Sequence, residues 1–259
     1  MSYLGTKDFL QEVAKGNVAK HSFVHKFGRN DSVGTSFEPV TVGGIYPTPQ
    51  ASGAVRLRVK AGGNANDTAA GTGAREITLE GLGTSGQLVS ETLATAGASA
   101  SSGTTTSFIR LFRAYVSASG TYATASAGSH SGDIVIEDTS GTSDYATISS
   151  SGFPRGATEI GAYSVPDGYT AYLESSFGFT DSSKTTTLLF FQRTNILQTS
   201  APYDAMRVVF EERVEGGEFT IDIDAPLAFV GPCDIGYMAM VNTGTAEVDV
   251  DFELLLVQD

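Results

Sequence analysis

The chain has no tryptophan, one cysteine and three histidines in 259 residues. Charged residues make up 17% of it, where ordinary soluble domains carry about 25%. These shortages remove whole classes of function. The single Cys233 permits no disulfide within the chain, and its apolar setting, "FVGPCDIGYMAM", suits a small buried side chain. His21 and His25 stand four apart, the spacing of a helical metal pair, but the stretch reads as a strand and no third ligand lies near. His130, in "AGSHSG", lacks the G-x-S-x-G order of a nucleophile elbow. The expectation is a non-enzymatic protein with no metal and no cofactor.

Positive charge is also scarce. The net charge is −13 and the pI about 4.6. Binding nucleic acid without regard to sequence requires Lys and Arg to neutralise phosphates, so no direct nucleic-acid partner is expected. An anionic membrane surface is disfavoured for the same reason. No run approaches the ~18 apolar residues of a membrane helix. Lys7, Asp8 and Glu12 occupy the region where a signal peptide needs an apolar core, so synthesis without export is expected. Charge is unevenly placed. Residues 1–30 hold Lys7, Lys15, Lys20, Lys26 and Arg29 against Asp8 and Glu12, a net +3 that leaves −16 on the rest. A basic arm of this kind can dock on the acidic body of a neighbouring subunit.

Gly, Ser and Thr take the place of the missing charges. Apolar residues at 41%, with 15 Phe and 10 Tyr, supply a core large enough for one big β domain or two smaller ones. Residues 6–19, "TKDFLQEVAKGNVA", form the one clear helix candidate. Thr6 is its cap, Phe9, Leu10 and Val13 share a face, and Gly16 ends it. "HSFVHKF" (21–27) alternates, with Phe23, His25 and Phe27 on one side. Residues 28–53, rich in Gly and Pro, read as an extended strap with short strand pieces. Strands are expected at 54–60, 75–82, 87–95, 107–117, 133–137 and 144–148. Loops of small residues separate several of them, at 61–73, 96–107 and 117–132, and are read as surfaces packed on neighbouring copies.

The last hundred residues are the most regular. Strands are expected at 159–165, 169–177, 185–194, 205–215, 218–223, 226–230, 234–242 and 246–257. Turns at "PDG" (166–168), "EGG" (215–217), "GP" (231–232) and "NTG" (242–244) divide several of them. Eight short strands suit a jelly roll. In "AEVDVDFELLLV", Val248, Val250, Phe252 and Leu254 face one way and Asp249, Asp251 and Glu253 the other. "EFTIDIDA" repeats the pattern with Asp222 and Asp224. Such carboxylate rows are the raw material of a Ca²⁺ site or a glycosidase pair. A solvated strand face that resists edge-to-edge pairing needs the same residues and is the favoured reading. "TLLFFQ" and "AMRVVF" are apolar on both faces, which points to burial against a second domain or subunit. In "SFIRLFRAYV", Arg110 and Arg113 fall on opposite faces of an apolar strand. A buried or interfacial Arg needs a carboxylate partner, and an acidic neighbour would provide one.

"HSFVHKFGRN", "NDTAAGTGAREITLEGL" with the following "VSETLATAGAS", "SFIRLFRAYV" and "YSVPDGYTAYL" together resemble a recurrent group of tailed-bacteriophage virion structural proteins. The resemblance covers most of the chain, although "VPDG" stands where the group more usually has "VPAG". It implies a non-enzymatic assembly protein located in the virion and assembled in the bacterial cytoplasm. Its partners would be copies of itself, a trimer for instance, and the phage major capsid protein or neck and tail proteins. The expected architecture is all-β: an N-terminal helix and extended arm (1–53), a β domain with Gly/Ser/Thr-rich loops (54–157) and a jelly-roll-like β-sandwich (158–259). The candidate assembly residues are Phe9, Val13, Phe23, Phe27, Arg110 and Arg113. Capsid decoration is the leading role and a neck or tail component the alternative. A rival reading is a carbohydrate-binding host-recognition module using Tyr163, Tyr169 and Tyr172.

Overall fold

The structure is a computed structural model that describes residues 6–46, 53–121, 127–181, 183–221, 223 and 225–259. The fold is nearly all-β, with 54% strand and 4% helix. The helix α1, Thr6–Ala14, is shorter than expected. Gly16, at φ +74°, donates its N–H to the Val13 carbonyl at 2.8 Å and closes it.

The strands are β1 (His21–Val33), β2 (Glu38–Pro39), β3 (Val55–Val59), β4 (Ala74–Leu82), β5 (Leu88–Ala94), β6 (Ser107–Phe108), β7 (Arg110–Ser119), β8 (Ile134–Asp138) and β9 (Asp144–Ile148). They continue as β10 (Ala162–Val165), β11 (Tyr169–Thr180), β12 (Thr186–Thr194), β13 (Arg207–Val214), β14 (Gly217–Ile221), β15 (Leu227–Val230), β16 (Cys233–Val241) and β17 (Ala246–Gln258). From residue 54 onward, every stretch expected to be extended contains a strand.

Among the described residues the strands form four antiparallel sheets. One runs β1-β17-β11-β14, with β15 also on β11. A second runs β10-β16-β12-β13, with β2 on β16. Their inner faces enclose the larger core. Val248, Val250, Phe252 and Leu254 of β17 point inward, as the alternation requires. Phe190 stands at the centre of this sandwich. Its ring stacks on Phe210 at 5.2 Å and meets Tyr237 at 5.0 Å and Phe252 at 5.8 Å. The long-range pairs β11–β17 and β12–β16 nest one inside the other.

The strap at 28–53 needs revision at its start. His21–Val33 is one strand paired along β17 from His21↔Val257 to Asn30↔Val248. It belongs to the sandwich rather than to a free arm. Burial turns the aromatic side of this strand outward. Lys26, Gly28 and Asn30 are buried, whereas Phe23 is exposed and Phe27 half-buried. Gly28 makes this possible, because a Cβ there would lie 2.2 Å from the Gly161 nitrogen. Only glycine lets β1 pass this close to the chain entering β10.

The other two sheets, β6-β3-β8-β9 and β5-β4-β7, enclose a smaller, mainly aliphatic core of Leu57, Ile77, Leu79, Ile134, Ile136 and Ile148. The described parts of the small-residue loops pack on this unit of their own chain, and residues 122–126 of the 117–132 loop lie outside the described residues. Ser101 and Thr104 act as ladder partners of β3: the N–H groups of Val59 and Leu57 donate to their hydroxyls, both at 2.9 Å. In return the Ser101 and Thr104 N–H groups donate to the Val59 and Leu57 carbonyls. Asp67, buried in the 61–73 loop, accepts from the Ala74, Ser131 and Gly132 N–H groups at 2.8–3.0 Å. A carboxylate satisfying three backbone donors fixes three loop segments at one point.

Candidate functional site

β1 is an edge strand, pinned at one end and open at the other. The pin is Gly28 against Gly161 together with Arg29. The Arg29 side chain donates to Glu159 at 2.8 Å and meets Asp31 at 2.7 Å. Arg155 donates to the same Glu159 at 2.6 Å. Beyond the pin, a groove of about 780 Å³ opens between β1 and the β5-β4-β7 sheet. That volume lies within the range of ligand sites. Its apolar lining includes Phe23, Val24, Phe27, Leu88, Val89, Phe112 and Tyr163. One wall is the cross-strand row Ser90–Glu80–Arg113. Arg113 meets Glu80 at 3.6 Å and lies over the Tyr115 ring at 4.9 Å.

Lys26 sets the chemistry of the groove. Its side chain is only 6% exposed, and its amine donates to the Phe112 carbonyl at 2.6 Å. The Phe112 ring centroid lies 5.9 Å away. Burial pushes the amine down to about 7, and the Arg113 cation adds to that push while Glu80 opposes it. The fold therefore binds the neutral amine better than the ammonium ion. Adding an anion beside it would reverse that preference.

Three candidate residues, Phe23, Phe27 and Arg113, thus line one groove. Phe9 and Val13 lie apart on α1, with Val13 buried and the Phe9 ring edge-on to His21 at 5.7 Å. Arg110 is 1% exposed, and its Nε donates to both oxygens of Asp234 at 2.9–3.0 Å. Its carboxylate partner belongs to the same chain, not to a neighbour. Ser164 donates a further 2.6 Å hydrogen bond to Asp234. This ion pair ties β7 of the smaller unit to β16 of the sandwich.

The outer face of the β1-β17-β11-β14 sheet carries a second, smaller pocket of about 390 Å³. Phe27, Phe177, Phe179, Phe219, Asp249 and Asp251 line it. Phe177 lies beside Asp251 and Phe179 beside Asp249 in the ladder. Asp249 and Asp251 each bury an Oδ1 that has no hydrogen-bond partner. Burial and the neighbouring Glu247 push Asp249 up to about 6, against Arg29. Burial and Glu253 raise Asp251 against His25, whose ring lies 3.3 Å from it. The acidic row is therefore half sheltered by aromatic rings rather than fully solvated. The Asp222/Asp224 row lies outside the described residues.

Both His130 ring nitrogens have partners, Ser129 at 2.8 Å and the Ser149 carbonyl at 3.1 Å. Cys233 is buried, which pushes its thiol up to about 12. Tyr163 is buried in the core, whereas Tyr169 and Tyr172 are half-exposed. Among the described residues no group of three or more His, Cys, Asp or Glu is placed to hold a metal ion. No described helix is long and apolar enough to cross a membrane.

Sequence reasoning passed over Lys26, Asp67 and Asp234. The signal for Lys26 was present in "FVHKF", where it takes the inward phase once Gly28 is recognised as a crossing point. Asp67 and Asp234 gave no signal, because their partners are distant in sequence. No protein-family model matches the chain, and no curated protein matches its sequence.

Proposed function

We propose that this chain is a non-enzymatic structural protein of a tailed-bacteriophage virion, acting as a homo-oligomeric decoration protein on the capsid. A neck or tail component is the nearest alternative location. The observation that carries the reading is the unused apolar edge of the sandwich. Met206, Val208 and Val209, on and beside β13, are exposed, Val208 to 52%. Edges of this kind invite another chain. The segments that resemble virion proteins supply the phage context. In this role copies bridge capsid subunits and resist the pressure of packaged DNA through buried contact area. Gold-labelled antibody imaging of intact virions tests it. Labelling over the head supports decoration, labelling at the neck or tail selects the alternative, and virions that lack the protein overturn the proposal.

The outer face supports a second reading, a carbohydrate-binding host-recognition module. Phe177 and Phe179 are exposed beside Asp249 and Asp251, whose free oxygens can accept from sugar hydroxyls. Binding of the intact protein on a glycan array, lost in Phe177→Ala, would select it.

A further inference from the structure

β13 is the outermost strand of its sheet and six of its eight residues are exposed. Among the described residues it pairs only with β12. One row of its backbone N–H and C=O groups therefore has no strand beside it. The strand carries four charges, on Arg207, Glu211, Glu212 and Arg213. Elsewhere Arg29, Arg58, Arg110, Arg113 and Arg155 each meet a carboxylate of their own chain. None of the four on β13 forms an ion pair among the described residues.

A bulge decides which of these charges share a face. Phe190 pairs with Phe210, but Phe191 pairs with Val208, so Val209 is the extra residue. Leu188, Phe190 and Gln192 lie two apart on one face of β12. Their partners Glu212, Phe210 and Arg207 therefore share that face. Without the bulge, three residues of separation would put Arg207 on the face opposite Phe210. With it, Phe210 stands midway, Arg207 two ladder places to one side and Glu212 two to the other. Val208, Glu211 and Arg213, opposite Phe191, Leu189 and Thr187, share the other face.

An edge with a cation and an anion equidistant from one centre is complementary to itself. We infer that the open β13 edges of two copies pair antiparallel about a two-fold axis at Phe210, so that each Arg207 faces Glu212 of the other copy. The inference rests on the homo-oligomer reading above and names its contact. The two-fold keeps like faces together, so the register can change only in steps of two. One step in one direction sets Glu211 against itself. One step in the other sets Arg207 against Phe210. Only the central register forms both ion pairs. It also brings Phe210, already stacked on Phe190 at 5.2 Å, beside its own copy. Strand addition supplies the backbone hydrogen bonds, and the opposed side chains supply the register. The contact closes on itself at two copies, and any larger assembly uses a further surface.

The test is sedimentation velocity with amide hydrogen exchange over a dilution series of the intact protein. Exchange protection at 207–213 is expected to rise together with dimer content. Arg207→Glu and Glu212→Arg, both at exposed sites, are each expected to weaken self-association about tenfold, because each variant turns two attractions into two repulsions. An equal mixture of the two variants restores association, since both pairs of the mixed dimer then join Glu to Arg. That rescue also shows that each variant is folded. Glu211→Arg, on the other face, leaves association near the wild-type level. A Glu211→Arg loss as large as that of Glu212→Arg, or a mixture without rescue, overturns the contact. Wild-type oligomers whose 207–213 amides stay unprotected overturn it too, and leave the homo-oligomer reading standing. A wild-type protein that stays monomeric at every concentration overturns both.

Discussion

The sandwich and the smaller β unit reach order by different means. The sandwich is held by rings, with Phe190 meeting Phe210, Tyr237 and Phe252 across its two sheets. The smaller unit has an aliphatic core. It depends besides on polar side chains that stand in for backbone: Asp67 for its loops, Ser101 and Thr104 for a missing stretch of strand. Aromatic packing gains from area and shape. Polar stitching gains little net free energy per bond but is costly to lose, because each deletion leaves a buried donor unsatisfied. A chain poor in charge can thus build a rigid body from hydroxyls, provided that nearly all of them are used.

Several changes would break or sharpen this contrast. The largest effect is expected at the joint between the units. Asp234→Asn leaves Arg110 buried without an anion and should cost about 3–5 kcal/mol in urea unfolding. If the two units lean on each other there, a single transition splits into two. Asp67→Ala strips the acceptor from three backbone donors and should cost about 2–3 kcal/mol. Hydrogen exchange should then quicken at Ala74, Ser131 and Gly132 while β11 and β17 keep their protection. Ser101→Ala and Thr104→Val should each cost about 1 kcal/mol, read as a lowered melting temperature. A melting temperature unchanged in both would show that the stitching is dispensable.

Asp249→Asn is the smallest change and runs the other way. Folding holds this carboxyl up at about 6, so the folded state binds its proton more tightly than the unfolded chain does. Its stabilising effect is complete below the ordinary value of 3.8 and is lost as pH rises through about 6. The ionised group is therefore a burden at pH 7–8. With screening allowed for at this half-exposed site, the amide should stabilise by about 0.5–1 kcal/mol there and make no difference at pH 4. A Tm gain of equal size at both pH values would remove burial of charge as the cause.

Much of the fold could be read from the sequence where its signal is local. Alternation placed Val248, Val250, Phe252 and Leu254 inward on β17, and Gly16 closed α1 where turn chemistry says it should. What stayed hidden depends on partners far along the chain. "HSFVHKF" alternates, but its aromatic side faces out, because Gly28 must cross Gly161 and turns Lys26 inward. Arg110 announced the need for an anion without saying that Asp234 meets it. The Ser/Thr-rich 96–107 stretch looked like loop because composition does not reveal hydroxyls serving as rungs. The groove shares this limit: Phe23, Phe27 and Arg113 could be picked out singly, but not the amine between them.

Gly28 and Gly161 also bear on how distant kin of this chain would be recognised. Gly28 leaves room for the Gly161 backbone, and Gly161 leaves room for Val250 and the Val40 carbonyl, so drift at either position is restrained by residues far away in sequence. Surface loops and even core side chains can be exchanged in compensating sets, but a shared absence of Cβ has no substitute. A chain too diverged to align could still be known by glycines at these two crossing points, one in its first long strand and one just ahead of the strand corresponding to β10.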